Sequence, residues 1–166
     1  MGCKNEKTTE ATTEATEVKA DENFTVTLNL VVKKDDNFSL FYTEDGSTDF
    51  SKIPPLWVDV KGSETAQDVV FKLPADASPT QLRLDFGLNK EQQPIVINSF
   101  KMNFFGKSFE ASGKDFYIYF DPDLTKTVYT KETNTIDAVV VDGVRQSPSF
   151  YPNVKPLGDE IAKLLQ

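Results

Sequence analysis

Apolar and polar side chains alternate residue by residue over much of this chain, and that spacing predicts strands. The clearest run is Gln81-Leu82-Arg83-Leu84-Asp85-Phe86-Gly87, where Leu82, Leu84 and Phe86 share one face of a pleated strand while Arg83 and Asp85 share the other. A polar turn at Asn89-Lys90-Glu91-Gln92 follows, and Pro94 opens a second strand from Ile95 to Phe105. Gly106-Lys107 predicts a tight turn, and Phe116-Tyr117-Ile118-Tyr119-Phe120-Asp121 a third strand.

The flanking segments repeat the pattern. Phe24 to Val32 and Phe38 to Tyr42 read as strands separated by the charged turn Lys33-Lys34-Asp35-Asp36-Asn37. Pro54-Pro55 excludes a helix and delivers Leu56 to Lys61, with Leu56, Val58 and Val60 on one face and Trp57, Asp59 and Lys61 on the other. Gln67 to Leu73, Lys126 to Lys131 and Thr135 to Val141 follow, the last closed by the hairpin signal Asp142-Gly143. Ser147-Pro148-Ser149-Phe150-Tyr151-Pro152 is bounded by prolines and predicts an edge strand or an extended cover. Only the tail, Pro156 to Gln166, has helical spacing, with Leu157, Ile161, Leu164 and Leu165 on one face. Many short strands with turns between them predict an all-β antiparallel sandwich over residues 23–155, followed by a short C-terminal helix over 156–166.

Residues 1–22 do not share the pattern. Their Thr-Thr-Glu-Ala repeats carry no large apolar side chain that could offset ordering entropy, so they predict a disordered acidic tether. Composition sharpens the rest: 13 Phe against one Trp and two Met predict an aromatic, sheet-forming core. A formal net charge of -8 repels phosphate backbones, so no nucleic acid is expected as a partner. The one cysteine, Cys3, cannot form an internal disulfide.

The absence of histidine removes Ser-His-Asp and Cys-His catalysis and every His-containing zinc or copper site. The glycines stand singly, so there is no phosphate-cradling loop, and no cofactor is expected. The loop Thr43 to Ser51, with Glu44, Asp45 and Asp49, is rich in oxygen ligands but lacks EF-hand spacing; it reads as an Asp-Gly turn, with calcium as the alternative and no metal site assigned. Carboxylate glycosidase chemistry remains open through Asp59, Asp68, Asp85 and Asp121, although exposed acids on an acidic protein chiefly solvate it. The expectation is therefore a non-enzyme.

Binding fits the available side chains better. Sugars are held by an aromatic face and by planar polar groups, and Trp57, Asp59, Arg83, Asp85, Asn98, Tyr117 and Tyr119 all fall opposite the apolar positions of their predicted strands. If those strands are neighbours, one sheet carries a polar-aromatic surface that contacts glycan. The competing reading is structural: Arg83 pairs with Asp85 or a cross-strand acid, and the aromatics cover the core edge.

Two resemblances add expectations. Met1-Gly2-Cys3 resembles the end of a bacterial lipoprotein signal, which implies acylation at Cys3, a lipid anchor in the bilayer and a place in the bacterial cell envelope. The acidic positions after Cys3 resemble the surface-export signals of Bacteroidetes lipoproteins, implying the outer membrane and exposure at its surface. N-myristoylation is the poorer match, because Glu6 stands where Ser or Thr is wanted; a free surface cysteine is the other alternative. Separately, Trp57-Val58-Asp59-Val60-Lys61-Gly62, the Leu-Arg-Leu-Asp strand Leu82 to Asp85 and the strand Ile95 to Phe100 resemble the jelly-roll, galactose-binding-like domains attached to bacterial membrane glycosyltransferases. That resemblance covers about Phe38 to Tyr151 and implies glycan contact or a purely architectural role. The membrane spans and catalytic domain that accompany such modules are missing from this chain. The partner expected is accordingly a glycan or, alternatively, another envelope protein docked through the C-terminal helix or an edge strand.

Overall fold

A computed structural model describes residues 22–166, so Cys3 and nearly all of the expected tether lie outside the described residues. In chain order the strands are β1 (Thr25–Val31), β2 (Asp36–Thr43), β3 (Leu56–Val60), β4 (Gln67–Lys72), β5 (Gln81–Asp85), β6 (Ile95–Phe104) and β7 (Lys107–Ser112). A single helical turn, α1 (Phe116–Tyr119), precedes β8 (Phe120–Pro122), β9 (Thr127–Thr130), β10 (Thr135–Ala138), the hairpin β11 (Val140–Val141) and β12 (Val144–Arg145), and β13 (Ser149–Pro152). The chain ends in α2 (Val154–Leu165).

These strands form an antiparallel β-sandwich. One sheet runs β4-β1-β6-β10-β9, with β7 also paired to β6; the facing sheet runs β3-β2-β5-β13-β8. The chain crosses between sheets at β1 to β2, β3 to β4, β4 to β5, β5 to β6, β7 to β8 and β8 to β9, so most sequence neighbours are not sheet neighbours. The alternation explains what lies between the layers. Leu28, Phe100 and Met102 from one sheet meet Leu40, Leu84 and Phe150 from the other, all at or near zero exposure. Phenylalanine supplies the bulk: Phe86 meets Phe38 at 5.5 Å and Phe150 at 5.6 Å, both edge to face, the arrangement favoured by the ring quadrupoles.

Several expectations change. Phe116 to Asp121 is not a strand: residues 116–119 form α1, and only Phe120 to Pro122 pairs, as β8. A strand would turn Phe116, Ile118 and Phe120 inward together, whereas one helical turn brings only positions four apart onto the same side. Accordingly Phe116 and Phe120 are fully buried and stack at 4.8 Å, while Ile118 is half exposed. The strand following the Phe105-Gly106 turn is instead β7, whose apolar positions Phe109 and Ala111 alternate too briefly to stand out in the sequence.

Ser149–Pro152 is not an edge strand: it lies between β5 and β8, with Phe150 fully buried. The flanking prolines do not prevent this, because Pro148 contributes only its carbonyl, which accepts from Phe86 N–H at 2.7 Å, and Pro152 closes the strand. Helix α2 begins at Val154, two residues earlier than its spacing suggested, since Pro156 falls in the first turn, where no N–H is needed. Leu157, Ile161 and Leu164 are buried on its inner face, as the pattern requires. Among the described residues no helix is long and apolar enough to cross a membrane.

Candidate functional site

The outer face of the β3-β2-β5-β13-β8 sheet gathers most of the candidate residues, because register fixes which side chains stand in line. Trp57 lies across from Ser39, Ser39 from Asp85, and Asp85 from Ser149, which makes one row running across four strands. The next row pairs Phe41 with Arg83 and Tyr151 with Asp121. Beside Trp57, on its other flank, Asp59 lies across from Asn37 and accepts a hydrogen bond from its side-chain amide. Four of the seven sequence candidates, Trp57, Asp59, Arg83 and Asp85, therefore share one surface.

The centre of that surface is closely cross-linked. Arg83 donates to Asp85 through Nε to Oδ1 at 3.0 Å and Nη2 to Oδ2 at 2.7 Å. The same guanidinium lies 4.4 Å from the Phe41 ring centroid and 4.8 Å from that of Tyr151, so it is held by two aromatic rings and one carboxylate. The pairing with Asp85 that the structural reading foresaw is thus present. Asp123 lies close enough to feel Arg83: its carboxyl is held below the usual range first by the Thr125 hydroxyl, then by the Thr125 amide and the charges of Lys126 and Arg83. Ser39 Oγ, buried between Trp57 and Asp85, has no hydrogen-bond partner among the described residues.

The periphery is open. Trp57 is 53% exposed. At the β2–β3 end of the face an open cleft of about 530 Å³ is lined by Asp35, Asn37, Asp59, Lys61, Leu88 and Asn89 among others. Asp35 accepts from Gly62 N–H and Lys61, which hold its carboxyl below the usual range, the backbone contact contributing most. The opposite wall is set by Asp36, buried beneath it. One carboxylate oxygen of Asp36 accepts from the amides of Asn37, Leu88 and Asn89, and the other from the Gln92 side chain at 3.0 Å. Gly87, at φ +100°, brings the chain so close to Asp36 that a Cβ there would stand 2.3 Å from its Oδ2.

Three sequence candidates lie elsewhere. Asn98 is on the outer face of the other sheet, where Asn29 pairs with Ser99 and Leu30 with Ile97, leaving Asn98 as the extra residue of a β-bulge. Its amide donates to Asn29 Oδ1 at 2.9 Å, and Asn29 in turn to Asp68 Oδ1 at 2.8 Å. Tyr117 and Tyr119 belong to α1 rather than to a strand, so neither joins the surface. Tyr117 stacks on Tyr129 with centroids 3.4 Å apart, and burial pushes its hydroxyl far above the usual phenol range. Tyr119 stands edge-on to Phe109 at 5.0 Å, and burial raises its pKa too.

In the Glu44–Asp49 loop the carboxylates are engaged by protein donors, Glu44 by the distant Ser78 N–H at 2.6 Å and the other two by nearby residues. Asp45 accepts from Lys52 Nζ at 2.7 Å and from the amide and hydroxyl of Ser47; Lys52 and then Ser47 hold its carboxyl well below the usual range. Asp49 accepts from the Ser51 amide and hydroxyl. Among the described residues no cluster of three or more acidic or thiol side chains is arranged to hold a metal ion.

Sequence reasoning missed Asn37, Ser39, Phe41 and Tyr151. Asn37 reads as part of a charged turn, and Ser39, Phe41 and Tyr151 lie in extended segments whose faces the sequence leaves unassigned; the pairing of β2 with β3 and β5, and of β13 with β5, brings them to Trp57 and Arg83. No known family, curated protein or solved structure matches the chain.

Proposed function

We propose that this is a non-catalytic, lipid-anchored protein of the bacterial cell envelope whose sandwich contacts glycan through the outer face of the β3-β2-β5-β13-β8 sheet. The observation that carries the reading is the pairing, on one strand face, of a half-exposed Trp57 with Asp59, whose carboxylate and Asn37 partner line an open cleft. An aromatic plane beside planar hydrogen-bonding groups is the combination a pyranose ring requires, with apolar C–H bonds on its faces and hydroxyls around its rim. Arg83 and Asp85 stiffen the sheet beneath it. The anchor rests on the resemblance of Met1-Gly2-Cys3 to the end of a lipoprotein signal, and the placement at the outer membrane on the acidic positions that follow Cys3.

The single tryptophan makes the test direct. Titration of the full chain with soluble glycans, read by fluorescence, is expected to give a saturable blue shift as Trp57 leaves water, and Asp59→Ala is expected to weaken it about ten-fold, as loss of one or two good hydrogen bonds does. Saturable binding without any change in Trp57 emission would assign the glycan to another surface.

Partner docking is the second reading. With the apolar face of α2 buried in this chain, it rests on the β3 edge, whose outer backbone groups face away from β2 and suit strand addition.

A further inference from the structure

We propose that the recess between the β11–β12 hairpin and the 87–92 turn is a binding site for a small organic anion, with Arg145 and Lys90 holding its charged head. The starting point is Arg145, a charged side chain only 8% exposed. Burial of a guanidinium is costly unless its N–H groups are matched by acceptors. It has five such donors. Among the described residues they meet Asn89 O and Asp137 Oδ1, each at 3.5 Å, where a well-formed charge-assisted bond is about 2.7–2.9 Å long. The protein thus buries this guanidinium and satisfies it only at the limit of hydrogen-bond range.

A second cation converges on the same place. Lys90 Nζ donates to the Arg145 carbonyl at 3.0 Å, which ties the turn to the hairpin and brings its ammonium into the recess. The recess has a volume of about 380 Å³, within the usual span for small-molecule sites. Its charged lining is two cations, Lys90 and Arg145, against one acid, Asp137, in a chain whose net charge is -8. The local sign is the reverse of the global one. Ala138, Val140 and Val144 complete the wall, and Val140 stands directly across the hairpin from Arg145. Apolar surroundings strengthen an ion pair and offer a body-sized surface next to the charged head.

The chemistry of the ligand follows. A guanidinium presents parallel N–H groups that match a carboxylate, sulfate or phosphate in bidentate fashion, and an ammonium adds a point charge beside it. The site therefore suits an oxyanion carried on a short apolar body. One wall is fixed in advance, because Asn89, whose carbonyl faces Arg145, is held by its amide on the buried Asp36. The recess shares the 87–92 turn with the cleft beside Asp59 but none of its lining residues, and it stands independently of the glycan reading.

The test is an amide chemical-shift titration of the full chain with acetate, butyrate, sulfate and phosphate, each against chloride at matched ionic strength. At least one of the four is expected to give saturable shifts at Lys90, Val140, Val144 and Arg145, and the responding arm names the head group. A tighter response to butyrate than to acetate reports contact with the valine wall. Lys90→Gln, an exposed substitution, is expected to weaken binding about five-fold, and Arg145→Lys, which keeps the charge but loses the fork, about ten-fold or more. Should Arg145→Lys fail to fold, Lys90→Gln still decides. Shifts no larger than those with chloride, or shifts unaffected by Lys90→Gln, would overturn the proposal.

Discussion

Arg83 and Asp85, two residues apart on one strand face, join through two hydrogen bonds of 3.0 and 2.7 Å on a sheet surface that leaves each side chain less than one-fifth exposed. Removing one partner strands the other charge in that half-dry setting, which costs more than the pair itself contributes. Asp85→Ala is expected to lower stability by about 2 kcal/mol, below the cost for a fully buried pair because some solvent reaches this one. Arg83→Met with Asp85→Leu together should cost less than the sum of the single changes. Urea unfolding of the two single variants and the double variant closes the cycle, and strictly additive losses would mean the contact carries no coupling.

Asp36 organises the 87–92 turn, which forms a wall of both recesses. Asp36→Ala leaves the Leu88 and Asn89 amides without their acceptor and is expected to cost about 3 kcal/mol. Native-state hydrogen exchange should then accelerate at those two amides before the rest of β5 and β6. Gly87→Ala should reproduce part of the effect, since both its positive φ and its contact with Asp36 oppose a side chain.

How far the sequence discloses this molecule depends on the range of the information. Alternation is local, so the faces of β1 to β6 and the anchor positions of α2 are legible from single segments. Phe116-Tyr117-Ile118-Tyr119-Phe120 shows where that fails: its composition favours a strand, yet the tertiary need to bury Phe116 and Phe120 while leaving Ile118 outside selects a helical turn. The candidate surface shows a second limit. Trp57 with Asp59 and Arg83 with Asp85 are visible as pairs, but their meeting depends on β2 lying between β3 and β5, and Asn98 is separated from them because β6 belongs to the other sheet. Arg145 and Lys90 gave no sequence signal, since a buried arginine looks like any other until its surroundings are known.

Burial of α2 sets a third expectation. Leu157 and Ile161 have at most 1% exposure, so truncating either to alanine removes a full side chain from the core and leaves a cavity. Each change should cost about 2–4 kcal/mol in thermal or chemical unfolding. A much smaller loss would mean that the helix docks only loosely.

The response to pH has a sign at each end. Burial holds the Tyr117 phenol above its unfolded value, so the neutral form is favoured by folding; that stability is complete below about pH 10 and is lost as pH rises through the folded pKa. Alkaline unfolding followed by circular dichroism should coincide with late phenolate absorbance, and Tyr117→Phe should move it to higher pH. Asp45 works in the opposite sense: its depressed pKa adds stability above the unfolded carboxyl value, and acid removes it. Carboxyl-detected titration should find Asp45 ionised well below pH 4, and Lys52→Ala should raise its midpoint.

The measurement that most directly tests the central claim is a glycan-array screen of the full chain, with and without calcium, alongside Trp57→Ala and Asp59→Ala. Trp57 is half exposed, so its removal leaves the core intact, and each variant can be checked for an unchanged unfolding midpoint. The account predicts saturable binding to a defined glycan that both variants lose, with no dependence on calcium. A clean blank across the array, or a hit that both folded variants bind as well as the parent, would contradict it.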